Sequence, residues 1–109
     1  TPQEGVLLIK VPDIDYIEAA NNYVKLHVGG RMHLLREKLS ALELRLDPVQ
    51  FARIHRSVIV NMDRIVSLKP SYSGDYIVKL ESGKEVRLSR TYRDAVQKQL
   101  GGHIDLNHE

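Results

Sequence analysis

The feature that most limits what this chain can become is a two-residue apolar period, cut at short intervals by turn-forming residues. Val24, Leu26 and Val28 alternate with Lys25 and His27, the pattern of a strand with one buried face and one wet face. Asn21-Asn22 stands just before it, and Asn tolerates left-handed backbone. Gly29-Gly30 stands just after it and supplies the positive φ of a tight hairpin, returning the chain through residues 32–35. The pattern recurs later. Tyr76, Val78 and Leu80 alternate with Ile77 and Lys79, Ser82-Gly83 turns the chain, and Val86 and Leu88 alternate with Arg87, so Lys79 and Arg87 should share the face opposite the buried one. Residues 6–11, closed by Pro12, and residues 14–20 read as two further strands, and residues 65–68 lead into a loop at 71–75.

Helical spacing appears twice. Leu35, Leu39, Leu42 and Leu46 fall on one face of a predicted helix that has Glu37 near its positive end and is stopped by Pro48. Ser89 or Thr91 is predicted to cap a last helix with Tyr92, Val96 and Leu100 on its inner stripe, ending at Gly101-Gly102. The sum is a mostly-β domain: small antiparallel sheets of about eight short strands, with two or three short helices.

A chain of 109 residues holds one core. We expect residues 1–5 to be a linker from a missing N-terminal region, residues 6–100 the domain, and residues 101–109 a polar tail. No apolar run nears the roughly 18 residues of a membrane span, and the absence of cysteine excludes a disulfide scaffold and a thiol nucleophile. Cytoplasm is the default compartment.

The net charge of +2 says little, but its distribution says more. Residues 51–93 hold nine Lys/Arg against four acids, whereas the remainder carries a net −3. One half of the sequence therefore suits a polyanion. Within it, the stretch the chain is organised around is residues 53–61, where Arg53, His55 and Arg56 precede Ser57 and the apolar Val58, Ile59 and Val60. Two readings stay open: a buried anchor holding Arg56 at the surface, or a basic strand end followed by a short core helix capped by Ser57.

Catalysis finds little support. His27 and His33 flank the Gly-Gly turn but, as outward alternates, are expected to be solvated rather than to hold a metal. His55 and Ser57 lack both a third orienting group and a glycine-rich nucleophile turn. His103, Asp105, His108 and Glu109 lie in the tail, and no phosphate-binding glycine loop occurs. We expect no enzyme activity, no cofactor and no metal.

Binding is the stronger case. Residues 21–25, 53–57 and 87–93 are turn-proximal clusters of Asn, Tyr, Lys, Arg, His, Ser and Thr. Arg reads guanine and Asn reads adenine bidentately, while Ser, Thr, Tyr and Lys serve phosphates. The residues alone also allow a single-stranded nucleic-acid binder, which would stack bases on Tyr23 and Tyr92, a protein-interaction module using strand edges, or merely solvated arginines.

The blocks at 14–24 (IDYIEAANNYV), 51–61 (FARIHRSVIVN) and 86–93 (VRLSRTYR) resemble the LytTR family of bacterial DNA-binding domains, in order and over about residues 6–100. The resemblance implies a mostly-β fold whose loops enter two successive major grooves of duplex DNA, as the effector of a two-component response regulator. It implies that Arg56 and Arg90 read bases, with Asn22 or Tyr23 as the first-loop reader. Lys25, Arg53, His55, Ser57, Tyr92 and Arg93 would then serve the DNA backbone. We further expect a monomer in isolation that pairs on adjacent half-sites, without contact of this domain to a membrane.

Overall fold

The period of two becomes two antiparallel sheets. The computed structural model describes residues 7–99. In chain order they form β1 (Tyr16–Ala20), β2 (Tyr23–Val28), β3 (Arg31–Leu35), α1 (Leu39–Glu43), β4 (Phe51–His55), β5 (Val58–Asn61), β6 (Ile65–Pro70), β7 (Tyr76–Leu80), β8 (Glu85–Leu88) and α2 (Arg90–Gln99). Short 3-10 turns occupy Val11–Asp13 and Met62–Arg64. The larger sheet has the order β3-β2-β1-β5-β4 and the smaller one β6-β7-β8.

Strand alternation gives the larger sheet two buried faces. Ile17, Val24, Leu26, Phe51 and Ile59 face α1 and the turn that follows it, where Leu39, Leu42 and Leu46 join the same core. Tyr16, Ala52, Ile54 and Val60 face the other way, onto Val78, Leu80 and Leu88 of the smaller sheet and Val96 of α2. Because β1 pairs with β5 (Tyr16 opposite Val60), the two halves of the chain meet at the sheet centre. Asn61 locks this junction. It is fully buried, its Nδ2 donates to the carbonyls of Pro12 (3.1 Å) and Ile14 (2.9 Å), and its Oδ1 accepts from Asp63 N (3.0 Å). All its polar atoms are thus satisfied where an unpaired amide would cost stability.

The single core expected of this length is two, one on each face of the larger sheet, and four further readings are corrected or decided. Residues 7–10 are not a strand, and Pro12 sits in a 3-10 turn, where its fixed φ suits a first helical turn; Val6 lies outside the described residues. The leucine helix contracts to Leu39–Glu43, because Leu35 stays in the ladder opposite Val24. Glu37 bonds Arg45 (2.8 and 2.9 Å) rather than the helix end. Residues 58–61 form β5, not a helix, so Ser57 caps nothing and lies in a hairpin turn. Finally, His27 is not simply solvated: its ring stacks on Tyr16 at 4.0 Å and its Nε2 lies 2.7 Å from Glu18 Oε1. His33 pairs with Leu26 and His27 with Met32, which puts the two imidazoles on opposite faces of the sheet.

The last helix starts where expected. Ser89 is its N-cap, accepting from Thr91 N at 3.3 Å, and Val96 is buried. Leu100, Gly101-Gly102 and the polar tail lie outside the described residues. Lys79 and Arg87 do share one face, since Lys79 opposes Glu85 and Arg87 opposes Ile77.

Candidate nucleic-acid interface

The three polar clusters come together at one end of the strands. Ala20 pairs with Tyr23, so Asn21-Asn22 is a two-residue turn in which Asn21 takes φ 58°. β5 begins at Val58, opposite Glu18 of β1, and Ala19 N donates to Ser57 O at 2.8 Å. The β4–β5 turn therefore stands beside the β1–β2 turn, two strand spacings or about 10 Å away. At the other side, Ser89 N donates to Ile54 O at 2.8 Å, which fixes the start of α2 against the end of β4.

The β4–β5 turn is built to a specific shape. His55 pairs with Val58, leaving Arg56 and Ser57 as the turn, and neither takes a positive φ. Two-residue hairpins usually rely on positive φ to follow strand twist. Here the register shifts between Arg53 and His55, so Ile54 is the extra residue of a bulge; it enters the second core and adds local twist just before the turn. His55 Nδ1 accepts from Ser57 N (3.2 Å) and lies 2.9 Å from Ser57 Oγ. An accepting Nδ1 leaves the proton of the neutral ring on Nε2, a donor.

Arg53 and Arg56 are close in sequence and opposite in use. Arg53 turns inward: Nε donates to His55 O (2.9 Å), Nη2 to Arg56 O, and Nη1 meets Glu43 Oε1 of α1 at 2.7 Å. Its guanidinium also lies 6.0 Å from the Tyr92 ring centroid of α2. Arg53 thus ties α1, the β4–β5 turn and α2 together. Arg56 is exposed at the turn and its guanidinium has no ion pair or hydrogen bond among the described residues.

Arg90 opens α2 and is exposed. Asp75 holds it in place. This carboxylate is only 6% exposed; its Oδ1 accepts from Arg90 N (3.2 Å), while Oδ2 meets Arg87 Nε (2.7 Å) and Ser73 Oγ (3.3 Å). The Arg90 side chain runs across Gly74, where a Cβ would lie 3.0 Å from its Cδ. Asp75 and Gly74 read from sequence only as loop residues; the Ser-Gly-Asp run signals the turn but not its service to a residue in another element.

Of the other sequence candidates, Asn22 is exposed at the first turn and Tyr23 is 42% exposed beside it. Lys25 is half-buried opposite Glu18, Arg93 is half-buried on α2, and Tyr92 is half-buried against the second core. All lie on elements that end at this edge. Among the described residues no group of three or more His, Cys, Asp or Glu is placed to hold a metal, and no helix is long and apolar enough to cross a membrane.

A β scaffold that gathers exposed arginines and amide side chains along one edge of turns has the character of a binding domain. The chain belongs to the LytTr DNA-binding domain family, whose model matches residues 4–101. It is 30% identical over 98 residues to the sensory transduction protein LytT of Bacillus cereus, covering 90% of this chain and 40% of that protein. It is 28% identical to the transcriptional regulatory protein LytR of Staphylococcus aureus, with the same coverage. A solved LytTr DNA-binding domain from Bacillus cereus has the same fold, with a TM-score of 0.81 at 24% identity over 87% of each chain. The chain spans about two fifths of the length of these curated relatives.

Proposed function

We propose that this domain binds duplex DNA sequence-specifically and performs no chemistry, acting as the effector of a bacterial two-component response regulator in the cytoplasm. The observation that carries the reading is the alignment of the three clusters at one end of the strands, with Arg56 and Arg90 both exposed. Two-residue turns that project from a sheet edge suit the major groove, which is about 12 Å across. Arg56 and Arg90 read base edges there, and Asn22 or Tyr23 reads from the first turn. His55 through its Nε2, Ser57, Lys25, Tyr92 and Arg93 serve the sugar–phosphate backbone. For Arg53, whose Nε, Nη1 and Nη2 each donate once to a carbonyl or to Glu43, the favoured role is to position the Arg56 turn rather than to meet phosphate.

Residues 6–100 constitute the DNA-binding unit, joined through residues 1–5 to an input region. The unit is monomeric alone, and two copies occupy half-sites one helical turn, about 10 base pairs, apart. Selection from a random duplex pool at about 150 mM salt tests this, since lower salt lets nonspecific phosphate binding dominate. A short enriched motif, alone or repeated one turn away, is the expected result. Tighter binding to single strands than to any duplex would overturn it.

A further inference from the structure

A fourth turn reaches the same edge, and no sequence cluster points to it. Pro70 pairs with Tyr76 and Tyr76 with Leu88, so the β6–β7 turn lies at the end of the smaller sheet from which Ser89 and Arg90 depart. The link to Arg90 is direct, through Asp75 Oδ1 on its backbone N–H and through Gly74 beneath its side chain. At the tip stands Tyr72, fully exposed. Lys69, also exposed, lies one residue before the paired Pro70 and has no ion pair among the described residues.

The turn is braced. Ser71 N donates to Asp75 O (2.8 Å), Gly74 N to Ser71 O (3.3 Å), and Ser73 Oγ to Asp75 Oδ2 (3.3 Å), while Gly74 takes φ 87°. Tyr72 is therefore presented on an ordered loop, and a tyrosine carries a rigid ring and a hydroxyl with only two side-chain torsions to fix. An exposed aromatic alone means little. On a loop whose Gly74 underlies the Arg90 side chain, three residues after the exposed Lys69 and at the edge proposed to meet DNA, it has a use. We infer that the β6–β7 turn is a fourth DNA contact: Tyr72 O–H donates to a backbone phosphate flanking the base read by Arg90, and Lys69 neutralises a neighbouring one. This rests on the reading of the domain as a duplex-DNA binder.

The test is binding of the 109-residue chain to the selected duplex and to a random duplex, with phosphate-ethylation interference on the selected one. Tyr72→Ala and Tyr72→Phe should each weaken both duplexes by roughly three- to tenfold, the range of one lost hydrogen bond. Lys69→Gln should lower the slope of log affinity against log salt by about one. Interference should vanish at one or two phosphates on the Arg90 side in the Tyr72 variants. Unchanged affinity and interference in these variants, with the parent still binding, would overturn the inference alone. A loss limited to the selected duplex would overturn the phosphate assignment. A parent that binds no duplex would bring down the functional reading as well.

Discussion

Three arginines separate at the scale of single residues. Arg53, Arg56 and Arg90 are indistinguishable as letters in a basic stretch, and sequence reasoning groups Arg53 with the phosphate contacts. What sets it apart is nonlocal: Glu43 comes from a helix and Tyr92 from another, and neither partner is within reach of a pattern read along the chain. Replacing Arg56 or Arg90 by Ala should cost about 1–3 kcal/mol on the selected site and relax preference at one base position, read by binding to a panel of single-base variants. Equal losses on selected and random duplexes would demote either residue to a phosphate contact. Arg53→Lys discriminates the positioning role. Lysine keeps the charge but not the planar fork that holds two carbonyls, so affinity for the selected site should fall about tenfold while the salt slope stays that of the parent. Full retention of affinity in Arg53→Lys would return Arg53 to the surface contacts.

Among the elements, the strands were the legible part. Alternation and turn residues marked the hairpins around Asn21-Asn22, Gly29-Gly30 and Ser82-Gly83, because those signals are local and chemical. The helix over the leucines was overextended, since the spacing of Leu35 fits a helix and a strand equally and only its ladder with Val24 decides. Likewise three β-branched residues after Ser57 do not announce a hairpin whose partner strand supplies the other half. The turns themselves make an expectation about stability. Asn21 holds φ 58°, so Asn21→Gly should be nearly neutral, whereas Asn21→Val should destabilise by about 1–2 kcal/mol in chemical denaturation. At the other hairpin, Gly74→Ala meets both φ 87° and the Arg90 side chain, and it should weaken DNA binding more than its loss of stability accounts for.

Across the whole molecule, two cores share one central sheet, and each is sensitive to its own change. Ile54 is fully buried at the bulge, so Ile54→Ala should cost about 2–5 kcal/mol in unfolding free energy. Tyr16, in the second core, has its phenol raised above 10.0 by burial first, then by Glu18 and Asp15. The unfolded chain then loses this proton more readily than the folded one. Its contribution is therefore intact below pH 10 and declines as pH rises past that value, a decline that Tyr16→Phe should lessen in alkaline denaturation curves. The central pairing of β1 with β5 also has a kinetic meaning. The β1–β2 and β4–β5 turns, proposed to carry Asn22 or Tyr23 and Arg56 as readers, can each close within their own hairpin in microseconds, but they face the same way only after Tyr16 finds Val60 from the other half of the chain. If these turns are the readers we propose, competence to bind a site arrives only with that long-range pairing, and a peptide copied from the Arg56 hairpin alone should bind the selected duplex far more weakly than the whole domain.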